Sequence, residues 1–417
     1  MKKKGSKILG QKPATVVRIF LTSLVMLTSI IAAAQPKKLA ATTVKKIPII
    51  DITDLYHPYQ DPGDNFDLIM AYALPEFDLR AIILDITDAF RKPVADHPTL
   101  WKDPRGPREA GFIPVLQLNY IFNRNIPFAV GPMDLMKSET DAMRDLPGFQ
   151  EAGVELFLNT LQASTEKIDV LSFGSARLLA VAYNRDPELL KRKINRIHLS
   201  AGTASPDFSL GTDAGANAIP GGEWNVALDT YAFRRVLKSG LPIVIYPCAS
   251  KDGGFVPGNY TTYWKMPGLN WIKKMNPQLR RYLDFSFSKA QRTDFLRAMD
   301  IDEATAADTS FYPSPHHVWE TAIWMNCANR VLVKSADGTC KLIPKFSVDK
   351  SAKIIKESLV PCTVTVRDDG RFSFMATSKP TNFKIYYREN VEQNEAGYRT
   401  ALPELYLSFL TKNNSDK

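Results

Sequence analysis

The sequence predicts an α/β protein with a doubly wound, mostly parallel open sheet and a β-rich C-terminal extension. Up to about residue 328, short apolar runs typical of buried strands alternate with stretches of helical apolar spacing. Beyond that point, short alternating runs are separated by turn signals such as Asp368-Asp369-Gly370. The 417 residues are 45% hydrophobic and 23% charged, which is typical of a globular protein and excludes disordered and multi-pass membrane classes.

Residues 1–34 have the pattern of a cleavable export signal. Its basic residues, with no acid among them, are Lys2, Lys3, Lys4, Lys7, Lys12 and Arg18. The apolar run 19–34 ends in three alanines and is shorter than the ~20 residues that span a bilayer. We expect cleavage before Gln35 and export to the periplasm or the extracellular space; the alternative is an uncleaved anchor.

The charge balance argues against a nucleic-acid partner. The formal net charge of +9 falls to +3 without residues 1–34, so the sequence pI of about 9.1 reflects mostly the removable segment. We also expect no stable membrane insertion once the signal has been cleaved.

Four cysteines would enter an oxidising compartment on export. An even number permits two disulfides, and Cys327 with Cys340, on either side of the Asp337-Gly338 turn signal, is the first candidate pair. Free buried cysteines are the alternative. No Cys-x-x-Cys motif indicates a zinc or redox site.

The first ordered unit is predicted to be a strand, a loop, a helix and a second strand. The strand at 47–50 ends in acids, a helix follows at 64–74 until Pro75 stops it, and a second buried strand covers 79–84. This order indicates a parallel sheet, and acids at the carboxyl end of a strand face the crevice where such sheets bind ligands.

The same alternation continues along the chain. Further strands are expected at 126–130, 168–173, 197–200 and 242–246, with helices around 151–162, 176–184 and 229–239, and β-rich strands at 363–366, 371–375 and 383–387. We predict one domain over 46–410, of which 328–410 is the β-rich part. The long loops 88–112 and 201–224 are expected to be functional.

Acidic residues are densest between the first strand and the first helix. Five carboxylates and an imidazole lie within seventeen residues: Asp51, Asp54, His57, Asp61, Asp64 and Asp67. So many like charges in one loop would repel each other unless a cation compensated them, which indicates a hard divalent ion. The alternative is that Asp64 caps the helix and Asp67 lies in its first turn.

Three motifs, in order from about 46 to 330, resemble the inosine-uridine preferring nucleoside hydrolases. The strand, acidic loop, helix and Pro75-Glu76 are similar to that family's Asp-x-Asp-Pro-Gly-x-Asp-Asp opening. The segment 171–180 is similar to its Gly-Pro-Leu-Thr-Asn helix start. The most specific match is Asn217-Ala-Ile-Pro-Gly-Gly-Glu223-Trp-Asn225, which resembles the family's Asn…Glu-Phe-Asn block.

The resemblance implies metal-assisted water attack at the anomeric carbon of a small-molecule nucleoside. It implies a nucleoside hydrolase-like fold, a bound calcium ion and a possible homo-oligomer. Asp54, or Asp61 if the loop doubles back, would be the catalytic base; the metal would be held by Asp54, Asp61, Asp64, Asp67 and the main-chain carbonyl of Phe173. Asn217, Glu223 and Asn225 would contact the ribose hydroxyls.

The sequence departs from the family pattern at several of these positions. Residues 55–60 are inserted inside the acidic motif, and two registers place either Asp64 or Asp67 on the calcium-binding position. His317 stands where the family has an acid, which favours zinc or another transition metal over calcium; a helix start without a ligand role is the alternative for His317.

Four further residues lie near these motifs, and each has two possible roles. Asp88 could replace a sugar-binding Asn or have no role. Trp224, like Trp319, could stack on the leaving group or belong to the core. Glu320 is expected to be a charged surface residue rather than a metal ligand.

The function that these observations favour is hydrolysis of the N-glycosidic bond of a nucleoside or related ribosyl substrate by metal-activated water. One alternative is a non-catalytic nucleoside- or carbohydrate-binding protein on the same fold. Another is a hydrolase of a different glycoside that uses paired carboxylates without a metal.

Overall fold

A computed structural model describes residues 45–55, 62–87, 111–210, 222–287, 294–301 and 311–410. Residues Lys46–Lys417 group into one compact unit. The predicted export signal lies outside the described residues, as do the predicted site residues Asp61, Asp88 and Asn217 and also His57.

The central feature of the described chain is a nine-stranded sheet with the order β15-β14-β16-β7-β5-β4-β1-β2-β3. Its strands are β1 (Ile47–Thr53), β2 (Phe77–Leu84), β3 (Phe128–Val130), β4 (Ile168–Phe173), β5 (Ile194–Ser200), β7 (Ile243–Tyr246), β14 (Glu357–Val366), β15 (Phe372–Ala376) and β16 (Phe383–Arg388). All neighbouring pairs from β16 to β3 are parallel, and β14 is antiparallel to both of its neighbours. The predicted mostly parallel α/β sheet is confirmed.

The direction in which the sheet grows reverses next to β1. The chain adds β2 and β3 on one side of β1, then crosses to β4 on the other side and continues to β5, β7 and finally β16. Such a reversal leaves a crevice beyond the carboxyl ends of the two strands that flank it, here β1 and β4. The fold therefore places its natural ligand-binding position after Thr53 and Phe173.

Helices cover both faces of the sheet, as expected for strands that are apolar on both sides. They are α1 (Pro62–Ala73), α2 (Phe112–Ile121), α3 (Gly148–Ala163), α4 (Arg177–Arg185), α5 (Pro187–Lys193), α6 (Trp224–Leu228), α7 (Thr230–Leu237), α8 (Pro277–Phe287), α9 (Thr321–Cys327) and α10 (Val391–Leu407). Two hydrophobic cores result, one with α1, α2, α8, α9 and α10 and the other with α3, α4, α5 and α7. Within the described ranges, no helix combines the length and the apolar character needed to span a bilayer.

Small accessory sheets complete the architecture. Strand β6 (Thr203–Ala204) pairs with β8 (Ala249–Ser250), and β9 (Trp264–Met266) pairs with β10 (His316–Val318). Strands β11 (Arg330–Lys334), β12 (Cys340–Pro344) and β13 (Lys353–Ile354) form a third small sheet.

The C-terminal part contains the predicted strands and, in addition, a long helix that the sequence did not predict. Strands β14 to β16 extend the main sheet, and α10 follows. The helix was missed because Gly397 and Pro403 interrupt its apolar pattern. Gly397 has a packing reason, since an added Cβ there would come within 2.7 Å of the Leu332 side chain.

The expected disulfide between Cys327 and Cys340 is absent, and all four cysteines are free and buried. Cys327 is the last residue of α9 and its Sγ is directed at Asp169, 3.9 Å from Oδ2. Cys340 begins β12, where it packs into the core beside the antiparallel partner strand β11.

One acid of the predicted loop lies inside the sheet instead. Asp51 is the fifth residue of β1, is about 1% exposed, and its Oδ1 has no hydrogen-bond partner among the described residues. Burial raises its pKa from 3.8 to about 8. Asp51 is therefore a protonated core residue at neutral pH and below.

Replacing Asp51 with Asn should reduce the pH dependence of stability. The folded chain keeps the Asp51 proton up to about pH 8, whereas the unfolded chain releases it near pH 4, so Asp51 makes folding less favourable as the pH rises between those values. The wild type should therefore lose stability relative to Asp51→Asn as the pH rises. The difference between their free energies of unfolding should change by up to about 1.4 kcal/mol per pH unit in this interval. Urea denaturation of both proteins at pH 5, 6.5 and 8 measures this difference.

Asp134→Asn, at an exposed position, is the matched control and should show no such trend. A constant difference between Asp51→Asn and the wild type across the three pH values would contradict the assignment of a protonated Asp51.

Candidate functional site

The candidate site lies at the carboxyl edge of the sheet, where β1 and β4 end side by side. Thr53 at the end of β1 is paired with Phe173 at the end of β4, and Asp54 follows at once, about 5% exposed. The predicted base Asp54 and the predicted carbonyl of Phe173 therefore share this edge.

Gly174 allows two carboxylates to approach the end of β4. A Cβ at this position would lie 2.7 Å from Oδ2 of Asp85 and 3.3 Å from Cβ of Asp54. Oδ2 of Asp85 also accepts hydrogen bonds from the backbone N–H of Ser175 at 2.7 Å and from its hydroxyl at 2.8 Å. Any larger residue at 174 would displace the carboxylates of Asp85 and Asp54.

Three carboxylates converge where α1, the helix that follows β1, meets the start of α9. Asp64 and Asp67 lie one turn apart on the first turns of α1, and Glu320 immediately precedes α9. One oxygen from each lies within 4.8 Å of the others, and both aspartates are buried. An all-oxygen donor set of this density suits a hard divalent cation such as calcium, which binds carboxylates in flexible geometry.

A pocket adjoins this carboxylate group and is mainly apolar. Asp67 and Glu320 form its polar part, together with His316. Apolar lining comes from α1, β9, β10, α10 and the segment after β9, and it includes Phe66, Met70, Met266, Leu269, Trp271, Val318, Leu402 and Tyr406. Charge interactions are screened less beside such a lining than in bulk water, which strengthens the attraction of the carboxylates for a cation.

Glu320 is the third acid of this group, whereas the sequence analysis offered His317 at the position where the family has an acid. We expected Glu320 to be a surface residue, but it is only partly exposed; its Oε2 accepts a hydrogen bond from the Trp319 backbone N–H at 3.0 Å. Its position directly before a helix is a sequence signal shared by many acids that bind no ion, so it did not identify Glu320.

His317 lies in an aromatic cluster and is not a member of the three-carboxylate group. Its Nδ1 is 2.9 Å from the Tyr263 hydroxyl, and its ring centroid is 4.7 Å from that of the half-exposed Phe255. Trp319 completes the cluster at 5.8 Å from Phe255. Burial, and then the nearby Lys265 charge, lower the pKa of His317, so its imidazole is neutral at pH 7.

The predicted ribose-binding residues Glu223 and Asn225 lie at the start of α6. Carboxylate oxygens of Glu223 accept hydrogen bonds from the backbone N–H groups of Gly202, Asn225 and Val226. Burial raises the pKa of Glu223 against the effect of these donors. Glu223 thus anchors the loop and caps the helix, and ribose contact by Glu223 and Asn225 stays a prediction.

Asn225 and the adjacent Trp224 differ in their surroundings. Asn225 donates from Nδ2 to the carbonyl of Ser200 at the end of β5, 2.7 Å away, which fixes its side chain at the carboxyl edge. Trp224 is 36% exposed, so it is not a core residue.

Arg177 at the start of α4 donates hydrogen bonds to several loops at this edge of the sheet. Its Nε donates to Oδ2 of Asp229 at 2.8 Å, and both side chains are buried. The remaining guanidinium donors bond the Ile86, Pro132 and Leu228 carbonyls and the Thr87 hydroxyl. Arg177 therefore connects the segments that follow β2 and β3 with the turn between α6 and α7.

Comparison with known proteins places the chain among distant relatives. No family model matches it. It is 29% identical over 193 residues to the pyrimidine-specific ribonucleoside hydrolase RihA of Salmonella schwarzengrund and 29% identical over 204 residues to the protein of that name from Escherichia coli O9:H4. Each match covers 44% of this chain and 57% of the relative, so the chain spans little more than half the length of these curated relatives.

Among solved structures, the purine-preferring ribonucleoside hydrolase from Gardnerella vaginalis is 13% identical. It aligns with a TM-score of 0.48 over 86% of this chain and 99% of that chain.

Arg177→Ala should destabilise the protein strongly. It leaves the Asp229 carboxylate buried without its cation and several carbonyls without donors, which costs on the order of 3–5 kcal/mol. Arg371→Ala is the control, since its ion pair with Asp369 is partly exposed and should contribute at most about 1 kcal/mol. Urea denaturation of both variants provides the test, and equal losses would show that the buried pair is not a principal support of the fold.

Proposed function

Because the chain belongs to the nucleoside hydrolase superfamily, we propose that it hydrolyses the N-glycosidic bond of a nucleoside or a related ribosyl compound. The observation that carries this proposal is the group of Asp64, Asp67 and Glu320 where α1 begins, the helix that follows β1 and Asp54 along the chain. It supplies a cation-binding site where a doubly wound sheet binds its ligand.

Calcium is the ion that this donor set favours. All three converging groups are carboxylates, and no imidazole or thiolate belongs to the group among the described residues. Zinc would prefer nitrogen or sulfur donors. By family resemblance, Asp54, Asp61 and the Phe173 carbonyl would complete the coordination. When bound, the ion would supply an acidified, positioned water molecule and coordination sites for the hydroxyl oxygens of the sugar diol.

Asp54 is the proposed base. It follows β1 directly, its carboxylate lies against Gly174, and the neighbouring Asp85 is fixed by Ser175. A carboxylate held on the end of a rigid strand can accept the proton of the attacking water without reorganisation. Asp61, which lies outside the described residues, stays the alternative base.

Substrate contacts are proposed from two sides of the edge. Asn217, Glu223 and Asn225 would bind the ribose hydroxyls. Half-exposed Phe255, in van der Waals range of His317, offers a flat apolar surface to a planar leaving group. Trp224 and Asp88 stay in the proposal as further substrate contacts.

Calcium should stabilise the folded protein through the carboxylate group. At a free calcium concentration about 100 times the dissociation constant, the gain is about 2.7 kcal/mol. Asp67→Asn should weaken calcium binding at least tenfold because it removes one of three charges. Calorimetric titration after chelator treatment, together with thermal unfolding with and without calcium, measures both effects.

Asp337→Asn is the matched control, because Asp337 lies in an exposed turn that Asn tolerates. If this control lost as much affinity as Asp67→Asn, or if the wild type bound no calcium, the assignment of the cation site would be wrong.

Nucleoside hydrolysis by the full chain should depend on the ion and on Asp54. With a panel of purine and pyrimidine ribonucleosides, we expect release of free sugar that stops with a chelator and returns with calcium. Asp54→Ala should lower the rate about 10²- to 10⁴-fold, the usual effect of removing a general base. Asp337→Asn should leave the rate unchanged.

The other outcomes discriminate between the remaining functions. Sugar release that survives the chelator would indicate a metal-independent glycoside hydrolase. Calcium binding without release from any nucleoside would contradict nucleoside hydrolysis and favour a binding protein.

A further inference from the structure

A second group of metal-ligating side chains lies inside the molecule, away from the candidate site. Asp169 on β4, His198 on β5 and Cys327 at the end of α9 each offer one ligand atom within 4.8 Å of the others. All three are buried, with exposures of 6%, 0% and 5%. Asp169 precedes Phe173 by four residues, about 13 Å of strand, so this group lies toward the amino edge of the sheet.

The spacing of these atoms fits a tetrahedral metal better than direct hydrogen bonds. His198 Nε2 is 3.4 Å and Cys327 Sγ is 3.9 Å from the same oxygen, Oδ2 of Asp169. A charge-assisted N–H···O bond in a dry interior is normally about 2.7–2.9 Å. With zinc bonds of about 2.0 Å to N and O and 2.3 Å to S, neighbouring ligand atoms lie about 3.3–3.6 Å apart.

Each ligand is also oriented by a neighbour. Asn195 Nδ2 donates to Oδ1 of Asp169 at 2.6 Å, which leaves Oδ2 for the shared centre. The Tyr246 hydroxyl lies 3.1 Å from Nδ1 of His198, and the two rings stack, which directs Nε2 toward the same point. Hydrogen bonds of this kind fix the tautomer and orientation of metal-binding residues.

A nucleophilic role for Cys327 does not fit the same geometry. His198 uses Nε2 toward Asp169 and Nδ1 toward Tyr246, so neither nitrogen serves the thiol as a base. Burial, and then the charge of Asp169, hold the pKa of the Cys327 thiol well above its usual range. Without a metal, the sulfur is thus an inert thiol.

We propose that Asp169, His198 and Cys327 form a structural transition-metal site, with zinc as the preferred ion. Binding replaces the thiol proton, which leaves to solvent, by a Zn–S bond, while His198 binds as neutral imidazole through Nε2 and Asp169 through Oδ2. The thiolate and carboxylate charges balance those of Zn²⁺, so the ion and its three ligands are together neutral, with the charge of Arg196 nearby. A water molecule would complete the four ligands.

The position of the site gives it a supporting role. Helix α9 has seven residues, about 10 Å, with Glu320 directly before its first residue and Cys327 as its last. A metal that joins Cys327 to β4 and β5 would fix the far end of the helix against the sheet. It would thereby position Glu320 in the carboxylate group at the other end.

Cobalt(II) is the probe, because cobalt–thiolate bonds absorb in the near ultraviolet and a carboxylate-only site does not. The full chain is produced in cobalt-supplemented medium, so that the metal is present during folding, and is purified without chelator. We expect about one equivalent of cobalt with the thiolate band in the wild type. Cys327→Ser should lose the band and that equivalent, whereas Cys340→Ser, at another buried cysteine, and Asp67→Asn should keep the band.

A second measurement does not depend on any variant folding. X-ray absorption of zinc-loaded wild type should show one sulfur ligand at about 2.3 Å together with nitrogen and oxygen ligands. A folded wild type without the cobalt band and without a zinc–sulfur distance would overturn the proposal, as would a band lost in Cys340→Ser but kept in Cys327→Ser. Neither readout uses nucleoside hydrolysis, so this site and the proposed activity can fail independently.

Discussion

The buried ion pair of Arg177 and Asp229 is the interaction on which the carboxyl edge of the sheet depends. One guanidinium, with all of its donors used, joins α4 to the segments after β2 and β3 and to the turn before α7. Loops this rich in polar backbone could not be buried without such a donor. Because the cation is fixed and enclosed, the acids at the same edge can be held close to one another.

The acids at the carboxyl edge of the sheet differ in the groups that surround them. The Arg177 charge opposes the effect of burial on the pKa of Asp85, although that pKa is still raised, and Ser175 holds the carboxylate in place. Asp54 lies next to it, while Asp64, Asp67 and Glu320 meet where α1 and α9 begin. The arrangement brings three carboxylates together in a donor set that suits a divalent ion.

Much of the fold could be predicted from the sequence, because buried parallel strands and amphipathic helices leave strong local patterns. Asp54, Asp64 and Asp67 could be singled out for the same reason, since they stand at predicted element boundaries. Glu320 could not, because its role depends on a meeting between the first turns of α1 and the start of α9, some 250 residues later. The group at Asp169, His198 and Cys327 left no motif, since its members come from three separate elements.

Helix α10 also contacts α1, the helix that carries Asp64 and Asp67, and this contact affects the order in which the protein folds during synthesis. The Tyr406 hydroxyl donates to the backbone carbonyl of Phe66, between Asp64 and Asp67, at 2.8 Å. Strand β16 likewise reaches its place beside β7 only near the end of the chain. Asp64 and Asp67 are therefore synthesised long before the Tyr406 hydroxyl that supports the backbone between them, and a chain that stops before α10 lacks this support for its candidate cation site.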